Sequence, residues 1–153
     1  MHQFIYQGKE LYCEGVPIRK IADETGTPFY LYSLTTLRNH FRAFESAFGE
    51  IPHLISYAVK ANSNLAILRL IAKEGGGADI VSGGELYRAL AAGIEPQKIV
   101  FAGVGKTAEE IRYALKTGIL MFNVESSQEL QLIDAVAREL KLKARVALRV
   151  NPD

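Results

Sequence analysis

The sequence predicts an α/β protein built on a parallel sheet. Three observations carry this. Short apolar, β-branched runs recur at residues 55–59 (ISYAV), 78–82 (ADIVS), 99–103 (IVFAG), 120–124 (LMFNV) and 145–150 (RVALRV), with starts 23, 21, 21 and 25 residues apart. Segments of helical periodicity fill the gaps between them. Cap and glycine signals open and close those segments. A strand, a capped helix and a glycine stop, repeated, describe βα units. The runs are apolar nearly throughout, as strands covered on both faces are.

The first fifty residues differ. Residues 11–18 (LYCEGVPI) predict a short strand or hairpin arm, and residues 21–25 one helical turn, ended by Gly26 and Pro28. Residues 29–33 (FYLYS) predict a strand. Ser33 can cap a helix over about 34–48, closed by Gly49 and Pro52. Further along, Leu65, Leu68, Ile71 and Ala72 share one helical stripe. Ile111, Ala114 and Leu115 share another, and Leu130, Ile133, Val136, Ala137 and Leu140 a third. Thr107 with Glu110, and Ser126 with Glu129, fit the capping box, in which hydroxyl and carboxylate each satisfy an orphan backbone donor. Ser82 and Glu85 fit it too, opening a helix over 83–91. Gly75, Gly93 and Gly118 fall where a left-handed residue ends a helix.

Composition removes several function classes. The 153 residues suit about one domain, and a net charge of +1 leaves no basic excess to attract nucleic acid or an acidic membrane face. No apolar run approaches the roughly 20 residues that span a bilayer. The first ten residues carry no basic segment followed by an apolar core, so no signal peptide is expected. The single cysteine, Cys13, excludes an intrachain disulfide and a cysteine metal cluster, and reads as a packed thiol. His2, His40 and His53 are far apart, so no metal is expected. The expected compartment is a reducing cytoplasm. The chain stops at Asn151, Pro152 and Asp153, directly after a strand. Five βα units make neither a closed eight-stranded barrel nor a finished sheet. The expectation is a chain cut in mid-fold, whose bare edges favour self-association, partner binding or poor solubility.

Functional groups of parallel α/β folds gather at the carboxyl ends of strands. Those ends carry Lys60, Asp79, Ser82, Gly103, Asn123, Glu125 and Arg149. A lysine ending a buried strand can point into the mouth of the sheet. Burial there would depress its pKa and make the amine a nucleophile for an aldehyde. It can equally snorkel to solvent. Asp79 and Arg149 fit a structural ion pair as well as a site. Ser82 and Glu85 fit a helix cap, and Glu125 fits a first-turn acid favoured by the helix dipole. The run from Gly103 through Gly105, Lys106 and Thr107 ends like a phosphate loop, but Val100 stands where the first glycine is required. The glycines at 75–77 read as a helix stop, and Gly83 with Gly84 lacks dinucleotide spacing.

From residue 29 onward the sequence resembles the pyridoxal-phosphate enzymes of the alanine racemase and ornithine decarboxylase fold type, and within it the diaminopimelate decarboxylase branch. The matching stretches are PFYLYS (28–33), SYAVKANSN (56–64), GGGADIVSGGEL (75–86), IVFAGVGKT (99–107), FNVESSQEL (122–130) and VALRVNPD (146–153), in the family's order. YAVKAN alone is moderately specific; its combination with ADIVSGGEL and LRVNPD is highly specific.

The resemblance implies a (β/α)8 TIM-like barrel, here incomplete at about five βα units. Residues 29–153 would form the N-terminal part of that barrel, and residues 1–28 would contribute a strand segment to a β-domain. It implies the cofactor pyridoxal 5′-phosphate and a carboxy-lyase that converts meso-diaminopimelate to L-lysine. Lys60 matches the lysine that holds the cofactor covalently. Ala58 matches the small residue against its ring, and Asp79, Glu85 and Arg149 match polar residues around it. Ser82 lies on the same mouth. In the family a stacking histidine, a Gly-rich phosphate loop, a glutamate for the ring nitrogen and a cysteine supplied across a homodimer lie further along. These have no counterpart in the 153 residues, so the chain alone is expected to be nearly inactive. The implied partners are a small amino-acid substrate and a second subunit. Three alternatives remain open at this point: another decarboxylase, a racemase of the same fold type, or a non-catalytic flavodoxin-like α/β module complete at five strands.

Overall fold

A computed structural model describes residues 2–152. The chain divides into two compact units between Ile51 and Pro52.

The first unit is a small antiparallel sheet with two helices. Its strands are β1 (Phe4–Gln7), β2 (Glu10–Cys13) and β3 (Val16–Pro17), in that order. Gln7 pairs with Glu10 around Gly8, whose φ of 64° gives the tight reversal a conformation that glycine adopts freely. Helix α1 (Ile18–Thr25) is longer than the single turn expected, and Gly26 ends it by donating to Ala22 O. Helix α2 (Leu34–Ala47) opens as expected, with Ser33 Oγ accepting from Thr36 N at 2.9 Å. The Glu14 carboxylate adds a second clasp. It accepts from Thr35 N at 2.7 Å and from the Ser33 hydroxyl. The strand expected over residues 29–33 does not form. A strand needs a ladder partner, and this segment joins neither sheet; Tyr30 and Tyr32 are exposed.

The second unit is a five-stranded parallel sheet. It contains β4 (Ser56–Ala58), β5 (Gly77–Ile80), β6 (Ile99–Phe101), β7 (Met121–Val124) and β8 (Val146–Leu148), side by side in chain order. The connecting helices are α3 (Leu65–Lys73), α4 (Gly83–Ala91), α5 (Ala108–Thr117) and α6 (Ser127–Leu140), and each packs on the next. Chain-order pairing with crossovers of one hand sets all helices on one face. A flavodoxin-like module reverses its strand order to 2-1-3-4-5 and covers both faces. That alternative is overturned; the arrangement is the successive winding of a (β/α) barrel, with five of its strands present among the described residues.

Residues alternate faces accordingly. Ala78, Ile80, Ile99, Phe101, Phe122 and Val124 meet Leu68, Leu86, Ile111 and Ile133 in the core. The Phe101 and Phe122 rings stack with centroids 6.0 Å apart. Ala58, Asp79, Val100 and Met121 align in one row of alternate parity. The expectation of strands covered on both faces holds for β6 but not for β8, which is an edge strand with Val146 and Leu148 exposed.

Local signals explain the joints. Gly75, Gly93 and Gly118 take φ of 86°, 91° and 75°. Thr107 and Glu110 form both halves of a capping box. The other two boxes form only their hydroxyl half, with Ser82 and Ser126 accepting from Glu85 N and Glu129 N. Their carboxylates reach one residue further back. Glu85 accepts from Val81 N at 2.7 Å, and Glu129 from Glu125 N at 3.2 Å. Gly77 is required sterically, because a Cβ there would lie 2.1 Å from Lys98 O.

Candidate functional site

The carboxyl ends of the strands surround a cavity of about 520 Å³ within the second unit. Its walls include Lys60, Asp79, Asn123, Glu125 and Arg149, together with the backbone around Gly103. The polar groups arrive from the ends of four strands, with Asn123 and Glu125 sharing the end of β7.

Lys60 stands on the 3-10 turn Val59–Ala61 that follows β4. Val59 is fully buried and anchors the turn, while Lys60 faces solvent. Of the two readings open for this lysine, burial and solvent, the exposed one is found. Its place on the cavity wall comes from the turn, which bends the chain where the run of apolar residues had predicted continuing strand.

Asp79 lies in β5, paired with Ala58 across the ladder. Its Oδ1 is buried and has no hydrogen-bond partner among the described residues. Burial pushes its carboxyl above the ordinary 3.8, while the Lys60 and Lys106 ammoniums oppose that rise. Ala58 ends β4, half-buried, beside this carboxylate but not on the cavity wall.

Arg149 is fastened by its backbone N–H to Val124 O at 3.0 Å. Its Nη1 lies 3.3 Å from Glu125 Oε2. Arg149 thus pairs with Glu125 and not with Asp79, whose Oδ1 has no hydrogen-bond partner among the described residues. Glu125 Oε1 also accepts from Gly103 N at 3.3 Å. Ser82 and Glu85 do not line the cavity. Ser82 caps α4, and Glu85 holds Val81 N, so both act on the loop behind the wall.

One residue escaped the sequence reading. Lys106 had entered only as the tail of a failed phosphate loop, yet its side chain is fully buried. The available sign was a lysine directly before a helix cap in the loop that follows a buried strand; two of its three acceptors, Asn123 O and Glu129 Oε1, are distant in sequence. Among the described residues no group of three His, Cys, Asp or Glu side chains could hold a metal, and no helix is long and apolar enough to cross a membrane.

Residues 34–153 match the family described as "Pyridoxal-dependent decarboxylase, pyridoxal binding domain". The chain belongs to this family. The diaminopimelate decarboxylase of Pseudomonas aeruginosa is 52% identical over 153 residues, which are 100% of this chain and 37% of that relative. The decarboxylase of the same name from Vibrio cholerae is 53% identical over 154 residues, again 37% of its length. The crystal structure of diaminopimelate decarboxylase from M. jannaschi superposes with a TM-score of 0.92 at 40% identity, covering 99% of this chain and 36% of that one. The Helicobacter pylori enzyme of that name, complexed with L-lysine, gives 0.85 at 49% identity over 88% of this chain and 34% of its own. The chain thus spans little more than a third of the length of these relatives.

The cofactor of a pyridoxal-dependent family is pyridoxal 5′-phosphate, and the cavity suits it chemically. Lys60 offers an amine for its aldehyde. The buried Asp79 Oδ1 offers an acceptor that no protein donor satisfies. Lys60 and Arg149 supply positive charge beside an anionic group.

Proposed function

We propose that the chain forms the cofactor-anchoring part of a decarboxylase that converts meso-diaminopimelate to L-lysine and carbon dioxide. The observation that carries this is the convergence of Lys60, Asp79, Glu125 and Arg149 on one cavity at the strand ends. The names of relatives about 50% identical support diaminopimelate as the substrate, and the L-lysine bound to one solved relative supports the product. In this reading residues 29–153 belong to the barrel and residues 1–28 to a strand segment of a β-domain. The working enzyme is a cytoplasmic homodimer.

Pyridoxal phosphate, when bound, supplies an aldehyde for an amine and a ring that accepts the electron pair left when a carboxylate departs. The residues of this chain prepare that chemistry. Lys60 Nζ is the nucleophile and must first shed a proton. The turn Val59–Ala61 holds it on the wall, so that attack is a local event rather than a search. When not engaged with the cofactor, Lys60 Nζ would hold or return a proton. Asp79 supplies negative charge near that amine, and its unsatisfied oxygen accepts a hydrogen bond from a ligand donor. Arg149, oriented by Glu125, presents a cation at the rim. Ala58 leaves space in the row beside Asp79, and Ser82 with Glu85 fixes the loop that carries Val81.

The test is chemical trapping. The chain is mixed with pyridoxal phosphate, reduced with borohydride and digested, and the labelled peptide is mapped. Label concentrated on Lys60 supports the reading, whereas label spread over surface lysines sinks it. Carbon dioxide release from diaminopimelate is expected to be a small fraction of that of a longer relative.

A further inference from the structure

One buried charge remains without a task. The Lys106 side chain is 0% exposed, and its Nζ donates to Gly103 O at 2.6 Å, Asn123 O at 2.9 Å and Glu129 Oε1 at 2.6 Å. An ammonium has three protons and here it has three acceptors, so its removal from water is matched. The Phe101 ring centroid lies 5.6 Å from it. Gly103 and Asn123 are both cavity residues.

The contacts close on themselves. Lys106 holds Gly103 through its carbonyl, and Gly103 N donates to Glu125 Oε1. Glu125 N donates to Glu129 Oε2, and Glu129 Oε1 returns to Lys106. Arg149 hangs from this ring by its contact with Glu125. Two βα junctions, β6–α5 and β7–α6, are therefore tied by one ammonium that touches neither solvent nor the cavity, and the segment after β8 joins them through Arg149.

We propose that Lys106 is a positioning residue for the cofactor site: the ring it closes fixes the Glu125 carboxylate, and through it Arg149, on the cavity rim. The inference rests on the cofactor reading of this cavity. It makes a separate demand, that breaking the ring weakens ligand capture without impairing Lys60 itself.

The experiment measures borohydride-trapped labelling of Lys60 against pyridoxal phosphate concentration. The variant is Lys106→Met with Glu129→Leu, which removes both buried charges together and so avoids stranding one. The half-saturating concentration is expected to rise about tenfold while the limiting rate at Lys60 stays within about twofold. Arg112→Ala, which breaks the surface pair with Glu139, is the control and leaves both unchanged. A purely structural role would lower only the labelled fraction at unchanged half-saturation, and that result overturns the proposal. So does half-saturation equal to that of the parent chain. If the double variant loses its cooperative melt, Glu129→Gln decides by the same criteria, since Lys106 and Glu125 N use different oxygens of Glu129 and the amide has only one. A parent chain without preference for Lys60 defeats the cofactor reading and this inference together. A Lys60-labelled parent with an unmoved variant defeats this inference alone.

Discussion

Lys106 Nζ and Glu129 Oε1 lie 2.6 Å apart, with side-chain exposures of 0% and 8%. The exposed pair of Lys20 and Glu24 is 4.0 Å apart at 67% and 66%. Water screens the second pair and hardly reaches the first. Lys106→Met alone is expected to destabilise the fold by about 3–5 kcal/mol, because Glu129 is left buried without its counter-charge. Adding Glu129→Leu should recover much of that loss. Lys20→Ala should leave the urea midpoint unmoved. A double-mutant cycle in urea measures all three.

Asp79 works against stability when ionised. Burial raises its carboxyl above 3.8 in the folded chain. A raised folded value means that the folded state holds the proton more tightly than the unfolded state. The penalty is therefore full above the folded pKa and is relieved as pH falls through it towards the unfolded value. Asp79→Asn is expected to raise the melting temperature at about pH 7. The gap from the parent chain should narrow on acidification. Thermal melts across pH test this, and a gap that widens in acid contradicts it.

Glu110 has the opposite sign. Hydrogen bonds from Gly83 N–H and Thr107 N–H hold its carboxyl below the ordinary 4.5. Its contribution is present above the unfolded value and is lost as pH falls through the depressed folded one. One oxygen reaches Gly83 at 2.8 Å and the other Thr107 at 3.0 Å, so this side chain joins the starts of α4 and α5. Glu110→Ala is expected to cost about 1 kcal/mol, the scale of a lost cap, measured by urea denaturation at neutral pH. The difference should fade in acid.

Gly77→Ala is expected to destabilise by at least about 1–3 kcal/mol, since its methyl would lie on the Lys98 carbonyl and the backbone must move. Gly8→Ala, with nothing within 4 Å of its Cβ, meets no such clash. It pays only for its positive φ. Paired thermal melts compare them, and equal losses would show that close packing at Gly77 is unimportant.

The β8 edge offers unpaired backbone flanked by exposed Val146 and Leu148. Concentration-dependent association is expected, and Leu148→Lys should weaken it. Sedimentation velocity over a dilution series reads the change. A chain that stays monomeric at every concentration contradicts the edge argument.

Much of the second unit could be read before any coordinates, because its information is local. Thr107, Ser126 and the glycines at 75, 93 and 118 act within one turn of their own positions. The strand-end rule placed Lys60, Asp79 and Arg149 on one wall for the same reason. The misses are long-range. The FYLYS run has strand composition but no neighbour to pair with, and pairing is not written in a segment. Phe4–Gln7 was overlooked because its ladder partner, not its own mixed polarity, makes it a strand. Lys106 was passed over because its acceptors come from residues as distant as Asn123 and Glu129. For Lys60 the sequence left burial and solvent both open; the apolar run predicted strand through Val59, whereas β4 ends at Ala58 and a 3-10 turn carries Lys60 out.

The order of the strands also bears on how such a chain assembles. Tyr57 pairs with Ala78, Ala78 with Ile99, and Val100 with Met121, each 21 positions apart; Phe122 pairs with Val146 at 24. Every sheet contact therefore closes a loop of similar, modest size. As a nascent polypeptide leaves the ribosome, each new strand finds its docking edge already made by the one before. Growth can proceed vectorially, with the turn that carries Lys60 set in place as soon as β4 and β5 have paired.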